Sequence, residues 1–281
     1  MKRLLTALTI GATLLLNTAC ETTDTVKDIL NTNLTDAEIV EGLKEALAVG
    51  TDTSTGILSL QDGYFADAAV KILLPDEMET TLANFKAKSF NVPALGTVTG
   101  QMLFDGVPAL GINGLSQKQD DLILGLNRAA EHAATTAGPI FITAITDITI
   151  ADGYNILFGG DDFAATNYLQ STTSNALVTA YDPIVENALQ SVKIGNTSVA
   201  DSYENFVQSY NDILNTNIPL LGSISSLISL NPVTATDLSV HGTQKALDGL
   251  FLKISEEESD IRNNPGARIN DILTKVFGQL D

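Results

Sequence analysis

The chain has 281 residues, 44% apolar and 17% charged, which is enough apolar material for a real core and excludes a disordered chain. Lys and Arg number 15 against 34 Asp and Glu, a formal charge of -19, which argues against a sequence-independent grip on nucleic acid or on anionic lipid headgroups. One Cys and two His exclude a disulfide framework, a cysteine-rich zinc site and most histidine metal clusters. No metal and no cofactor are expected.

Met1-Lys2-Arg3 is a basic start, and Leu4 to Leu16 is apolar apart from Thr and Gly. This run is shorter than the roughly 20 residues needed to cross a bilayer, so residues 1–19 read as a secretory signal peptide. The sole cysteine, Cys20, stands at the expected cut after Asn17-Thr18-Ala19. That arrangement resembles a bacterial lipoprotein signal, although such signals usually place Leu where Asn17 stands, and Leu16 comes one position early. The resemblance implies lipidation of Cys20, and Glu21 after it implies the outer membrane, with the chain facing the periplasm. Cleavage removes Lys2 and Arg3 and leaves the mature chain still more acidic, so acyl chains must supply the anchorage. Residues 20–33 are polar, Thr-rich and aperiodic, and read as a tether.

From Thr35 the periodicity becomes helical. Thr35 and Glu38 have the spacing of a capping box, Ile39, Leu43 and Leu47 recur every four residues, and Gly50 is placed to end the helix. Ala66 to Leu73 and Pro75 to Ala87 predict two further helices. Residues 91–114 carry Val-Pro-Ala-Leu-Gly twice, at Val92 and at Val107. This stretch reads as an apolar loop insertion over the core, as does Ile218 to Val233. Asp120 to Ala134 is a helix with Leu122, Leu126, Ala129, Ala130 and Ala133 on one face, and Pro139 opens another segment in the first-turn position that tolerates it. Ile150 to Phe158, Phe163 to Leu189 with a bend or split at Pro183, Val199 to Leu214, Leu238 to Ile261 and Ala267 to Phe277 complete the helices. The fold class is all-α, a single compact multi-helix domain over residues 34–278.

No nucleophile, base and acid combine into a legible set. His132 and His241 stand in unrelated contexts, and no phosphate loop, His-Glu-x-x-His or calcium loop is present. Gly159-Gly160-Asp161-Asp162-Phe163 is similar to the signature loop of diguanylate cyclases, but it joins two predicted helices. Two Gly ending one helix and Asp161 or Asp162 capping the next is the simpler account. In the helix carrying Leu247, Leu250, Phe251, Ile254 and Ile261, about 100° per residue puts Glu258 in the middle of the apolar stripe and Glu256 and Glu257 at its edges or outside. A carboxylate there needs a partner, with Arg262 first, four residues on, and Arg128 second. Arg128 and Glu131 fall on the polar face of their own helix and read as a solvated pair. Glu258, Arg262, Arg128 and Glu131 are thus the candidate members of a buried ion network or a ligand site.

Asn127-Arg128-Ala129-Ala130-Glu131, Pro139-Ile140-Phe141, and Ile156-Leu157 through Gly160 to Ala165-Thr166-Asn167-Tyr168 occur in order. Pro183-Ile184-Val185, Lys245-Ala246-Leu247-Asp248-Gly249-Leu250-Phe251, Glu257-Glu258 through Ile261-Arg262 to Asn264-Pro265, and Val276-Phe277-Gly278 follow. As a set they resemble the uncharacterised bacterial family known as domain of unknown function 4197. The resemblance implies an exported, mostly helical domain, often on a lipoprotein, and it carries over no catalytic residue. The Val-Pro-Ala-Leu-Gly insertion and Ser239-Val240-His241-Gly242 depart from its pattern.

The reading reached from the residues is a membrane-anchored, non-enzymatic binding or interaction module. Its partner is an unknown protein or small molecule, and not nucleic acid. The alternatives are a carboxylate-based hydrolytic or other enzyme with a site near Glu258, and a structural envelope protein.

Overall fold

Apolar residues spaced three and four apart generate a set of long helices in the computed structural model, which describes residues 34–93 and 95–281. Cys20, the signal peptide and the tether lie outside the described residues. The long helices are α1 (Asp36–Leu58), α2 (Asp76–Lys86), α4 (Ser116–Ala134), α5 (Ala137–Asp147), α7 (Ala164–Ser191), α8 (Val199–Asn215) and α10 (Leu238–Asn263). Short helices α3 (Gly100–Asp105), α6 (Gly153–Phe158), α9 (Ile224–Ile228) and α11 (Asp271–Phe277) connect or close them. The residues from Asp36 to Asp281 form one compact unit. No helix among the described residues is long and apolar enough to cross a membrane.

Helix α10 is the hub. Its stripe of Leu247, Leu250, Ile254 and Ile261 is buried, and it packs on α1 and α7, while α1 also meets α5, α6 and α11. Small residues allow these close crossings. A Cβ on Gly42 of α1 would stand 2.6 Å from Val276 of α11, and one on Gly50 would stand 3.3 Å from Ile254. Gly50 therefore does not end the first helix as its sequence position suggests. It is a contact point, and the helix runs on to Leu58. Pro183 likewise leaves α7 unsplit. Pro183 and Thr179 are both exposed, so the carbonyl that loses its donor four residues upstream lies on the solvent side.

Two expectations are corrected. Ala66 to Leu73 forms turns rather than a helix. Val70, Ile72 and Leu74 are buried while Leu73 is exposed, the alternation of an extended segment. The apolar insertion and the Ile218 segment are not featureless loops. They fold as antiparallel hairpins β1 (Ser89–Val92) with β2 (Gly96–Thr99), β3 (Gly106–Val107) with β4 (Ile112–Asn113), and β7 (Asn217–Ile218) with β8 (Gly222–Ser223). A fourth hairpin joins β5 (Lys193–Ile194) and β6 (Thr197–Ser198). Ile218-Pro219-Leu220-Leu221-Gly222 is a third version of the repeated pentapeptide, and all three copies end on a glycine at positive φ. Proline fixes φ early in the turn, and Gly96, Gly111 and Gly222 close it at φ of 77°, 69° and 96°. Ser198, Ser223 and Thr99 then accept backbone N–H groups of the helices that follow.

Candidate functional site

The first sequence candidate lies where three helices meet. Glu258 is 0% exposed and Arg262, one turn further along α10, is 4% exposed. The Arg262 Nε donates to Glu258 Oε1 at 2.9 Å, and a second guanidinium nitrogen stands 2.8 Å from the same oxygen. The carboxylate has further donors. Ala165 N–H at 2.9 Å, Thr166 N–H at 2.7 Å and the Thr166 hydroxyl at 2.7 Å all point at it. These amides belong to the first turn of α7, where intrahelical acceptors are missing. The guanidinium also donates to the carbonyls of Leu157 at 2.9 Å and Ile156 at 3.0 Å, the last turn of α6. An acid thus sits on a helix start and a base on a helix end, each matching the local sign of the helix dipole. Both oxygens of Glu258 are thus engaged by structural donors.

This explains the Gly159-Gly160-Asp161-Asp162-Phe163 loop, which turns the chain from α6 into α7. Gly160 takes φ of 79°. Asp161 accepts the Phe163 N–H at 2.9 Å and the Asn167 amide at 3.2 Å, so it orders the turn. The cap of α7 itself comes from Glu258, a residue distant in sequence.

Arg128 does not reach that cluster. Its guanidinium pairs with Asp62 at 2.7 Å and with Glu131 at 2.6 Å, which corrects both its assignment to Glu258 and the solvated reading of the pair. Glu131 is buried because residues 59–75 lie across that face of α4. It accepts the amides of Tyr64 and Phe65 at 3.3 Å. Asn127, fully buried, accepts the Ile72 N–H at 2.9 Å and donates to the Ile72 carbonyl at 2.8 Å, as a neighbouring strand would. The Tyr64 hydroxyl donates to Ala246 O at 2.7 Å, and burial pushes its pKa well above the usual phenol value. Arg268 repeats the theme, donating to the carbonyls of Ile261 and Arg262 and pairing with Asp281. The guanidinium holds the Asp281 side-chain carboxyl below its ordinary pKa. Asn127 carries no sequence signal for this role because its partners are backbone atoms, and Arg268 carries none because two of its acceptors are backbone carbonyls and the third is the distant Asp281.

Neither of the two cavities described next is lined by Glu258. A groove of about 570 Å³ runs between α5 and α7. Its walls include Ile140, Ala144, Ile148, Ala176, Leu177 and Ala180, with hydroxyls and Asp147 around them. The Tyr168 hydroxyl donates to Thr149 O at 2.6 Å along its edge. A second cleft of about 580 Å³ opens between α1 and α10, lined by Ser54, Asp62, Asp67, Lys253, Glu256 and Glu257 among others. Lys253 is held between Asp67 at 2.7 Å and Glu256 at 2.8 Å. Burial, and then the charge of Asp260, raises the Glu257 pKa. His241 bonds the Leu73 carbonyl at 2.9 Å, while His132 is exposed. No group of three or more His, Cys, Asp or Glu among the described residues is arranged to hold a metal ion.

No curated protein and no solved structure matches the chain. Residues 33–92 and 106–278 match the family model described as "Protein of unknown function (DUF4197)". The interruption falls inside the apolar insertion, at the turn of the first hairpin and α3. The matched stretches include Asn127, Arg128, Glu131, Glu258 and Arg262, the residues that fasten helix ends and the 59–75 segment. The chain belongs to the DUF4197 family.

Proposed function

We propose that this protein is a lipid-anchored component of the bacterial outer membrane, tethered through Cys20 and facing the periplasm, whose helical body is a non-enzymatic binding module. The anchor reading rests on the basic start, the short apolar run and the cysteine at the cut site. Replacing Cys20 by Ser is expected to leave the chain exported while moving it out of the membrane fraction. A variant that still sediments with membranes after a high-salt wash contradicts the anchor.

The observation that carries the binding reading is the groove between α5 and α7. Its apolar walls, open mouth and hydroxyl-bearing rim are the usual composition of a site for a small, largely apolar molecule. It has no Lys, Arg or His in its lining, which favours an uncharged ligand over an acid. The uncharged probe N-phenyl-1-naphthylamine is expected to show saturable fluorescence enhancement with the Cys20→Ser chain. Ala176→Phe, which places a ring in the groove from an exposed position of α7, should weaken it about tenfold or more. Equal enhancement by parent and Ala176→Phe rejects the groove as the binding site.

A further inference from the structure

In a chain of formal charge -19, α5 carries no charged residue from Ala137 to Thr146 and α7 none from Ala164 to Tyr181. These stretches are not merely interior. Ile142, Thr143 and Thr146 of α5 and Thr172, Ala176 and Ala180 of α7 are exposed, so the two helices together present an uncharged face to solvent. Ile142, 40% exposed, stands on a ridge of that face. On one side of the ridge is the groove between α5 and α7, and on the other is a groove of about 640 Å³ between α1 and α5.

The chain enters the helical body beside this face. Asp36 and Ala37, the first residues of α1, line the same groove as Ile142, Ile145 and Thr146. Lys44, two turns further along α1, donates to the Thr146 carbonyl at 2.7 Å. Only residues 20–33 separate the anchor site from the described body, 14 residues that cannot span more than about 50 Å.

We infer that α5 and α7 lay this uncharged face on the lipid bilayer that holds the Cys20 anchor, with Ile142 at the contact and the groove between the two helices opening onto the membrane. The inference rests on the anchor reading given above. Laying a charged face against lipid strips water from its charges, and a face without charge avoids that cost. One exposed isoleucine is too little apolar surface to hold a protein on a bilayer by itself. In an anchored body the contact is intramolecular, so a weak one suffices: the anchor supplies the affinity and the face supplies the orientation. A groove that opens onto the membrane gives an uncharged apolar ligand a route from the bilayer.

The chain contains no Trp, so a single introduced one reports its own surroundings. Full chains bearing their lipid and carrying Ile142→Trp or Leu220→Trp are reconstituted onto dioleoylphosphatidylcholine vesicles with and without brominated acyl chains. Flotation of the vesicles reads the anchor, and tryptophan emission reads the face. Both chains should float. Ile142→Trp should emit at a shorter wavelength on vesicles than in the Cys20→Ser background and lose most of its emission to the bromines. Leu220→Trp, on a wholly exposed hairpin residue, should do neither. Adding Thr143→Glu and Ala176→Glu to Ile142→Trp should leave flotation intact and abolish the quenching. Chains that do not float overturn the anchor and this inference with it. Floating chains in which Ile142→Trp is unquenched, is quenched no more than Leu220→Trp, or stays quenched beside the two added glutamates overturn this inference alone. A blue shift of Ile142→Trp that grows with protein concentration in the Cys20→Ser background, without vesicles, would put a second copy of the chain on this face and overturn it as well.

Discussion

Glu258→Gln should lower the stability of the protein by about 3–5 kcal/mol, the range for breaking one partner out of a buried ion pair. Glu256→Gln, two residues away on the exposed side of α10, should change it by about 0.5 kcal/mol. The glutamine keeps the shape, yet it replaces one acceptor oxygen with a donor that faces amide, hydroxyl or guanidinium hydrogens, and it leaves Arg262 without a counter-charge. Isolated buried ion pairs can often be replaced by two apolar residues at little cost. That rescue should fail here. Glu258→Met combined with Arg262→Met would still strand the amides of Ala165 and Thr166 and the carbonyls of Ile156 and Leu157, which these side chains now satisfy. Urea midpoints of the three variants check both statements. Equal midpoints for Glu258→Gln and Glu256→Gln, or a double variant as stable as the parent, contradict the assignment.

Asn127→Ala should be the second large loss. It removes both hydrogen bonds to Ile72 and leaves a buried N–H and a buried C=O unpaired, at about 1–3 kcal/mol each. A further cavity contribution follows from deleting a fully buried side chain. The loss should be local before it is global. Limited proteolysis should cut within residues 59–75 of the Asn127→Ala chain at denaturant concentrations where the parent resists. Unchanged proteolysis and an unchanged midpoint would mean that Asn127 does not hold the segment.

The helices were legible because their apolar stripes face other helices, and a stripe is a property of neighbouring residues. The position of Glu258 was legible for the same reason, since it interrupts a stripe. Glu131 was not, because its burial comes from a segment that no helical periodicity records. Gly50 was misread as a stop because a glycine that permits a close helix crossing and a glycine that ends a helix look alike in one sequence. The 66–73 segment was misread because the apolar residues of its extended course also suit a helix. The hairpins were missed because each strand is only two to four residues long, too short for alternation to show.

Glu258 and Arg262 act as a clamp on backbone ends, joining the close of α6 to the start of α7. Native-state hydrogen exchange of the Ala165 and Thr166 amides, compared between the parent chain and Glu258→Gln, tests it most directly. The clamp predicts that these amides are strongly protected in the parent and lose protection in Glu258→Gln under conditions where amides in the middle of α7 keep theirs. Protection at Ala165 and Thr166 that is the same in both chains would contradict it.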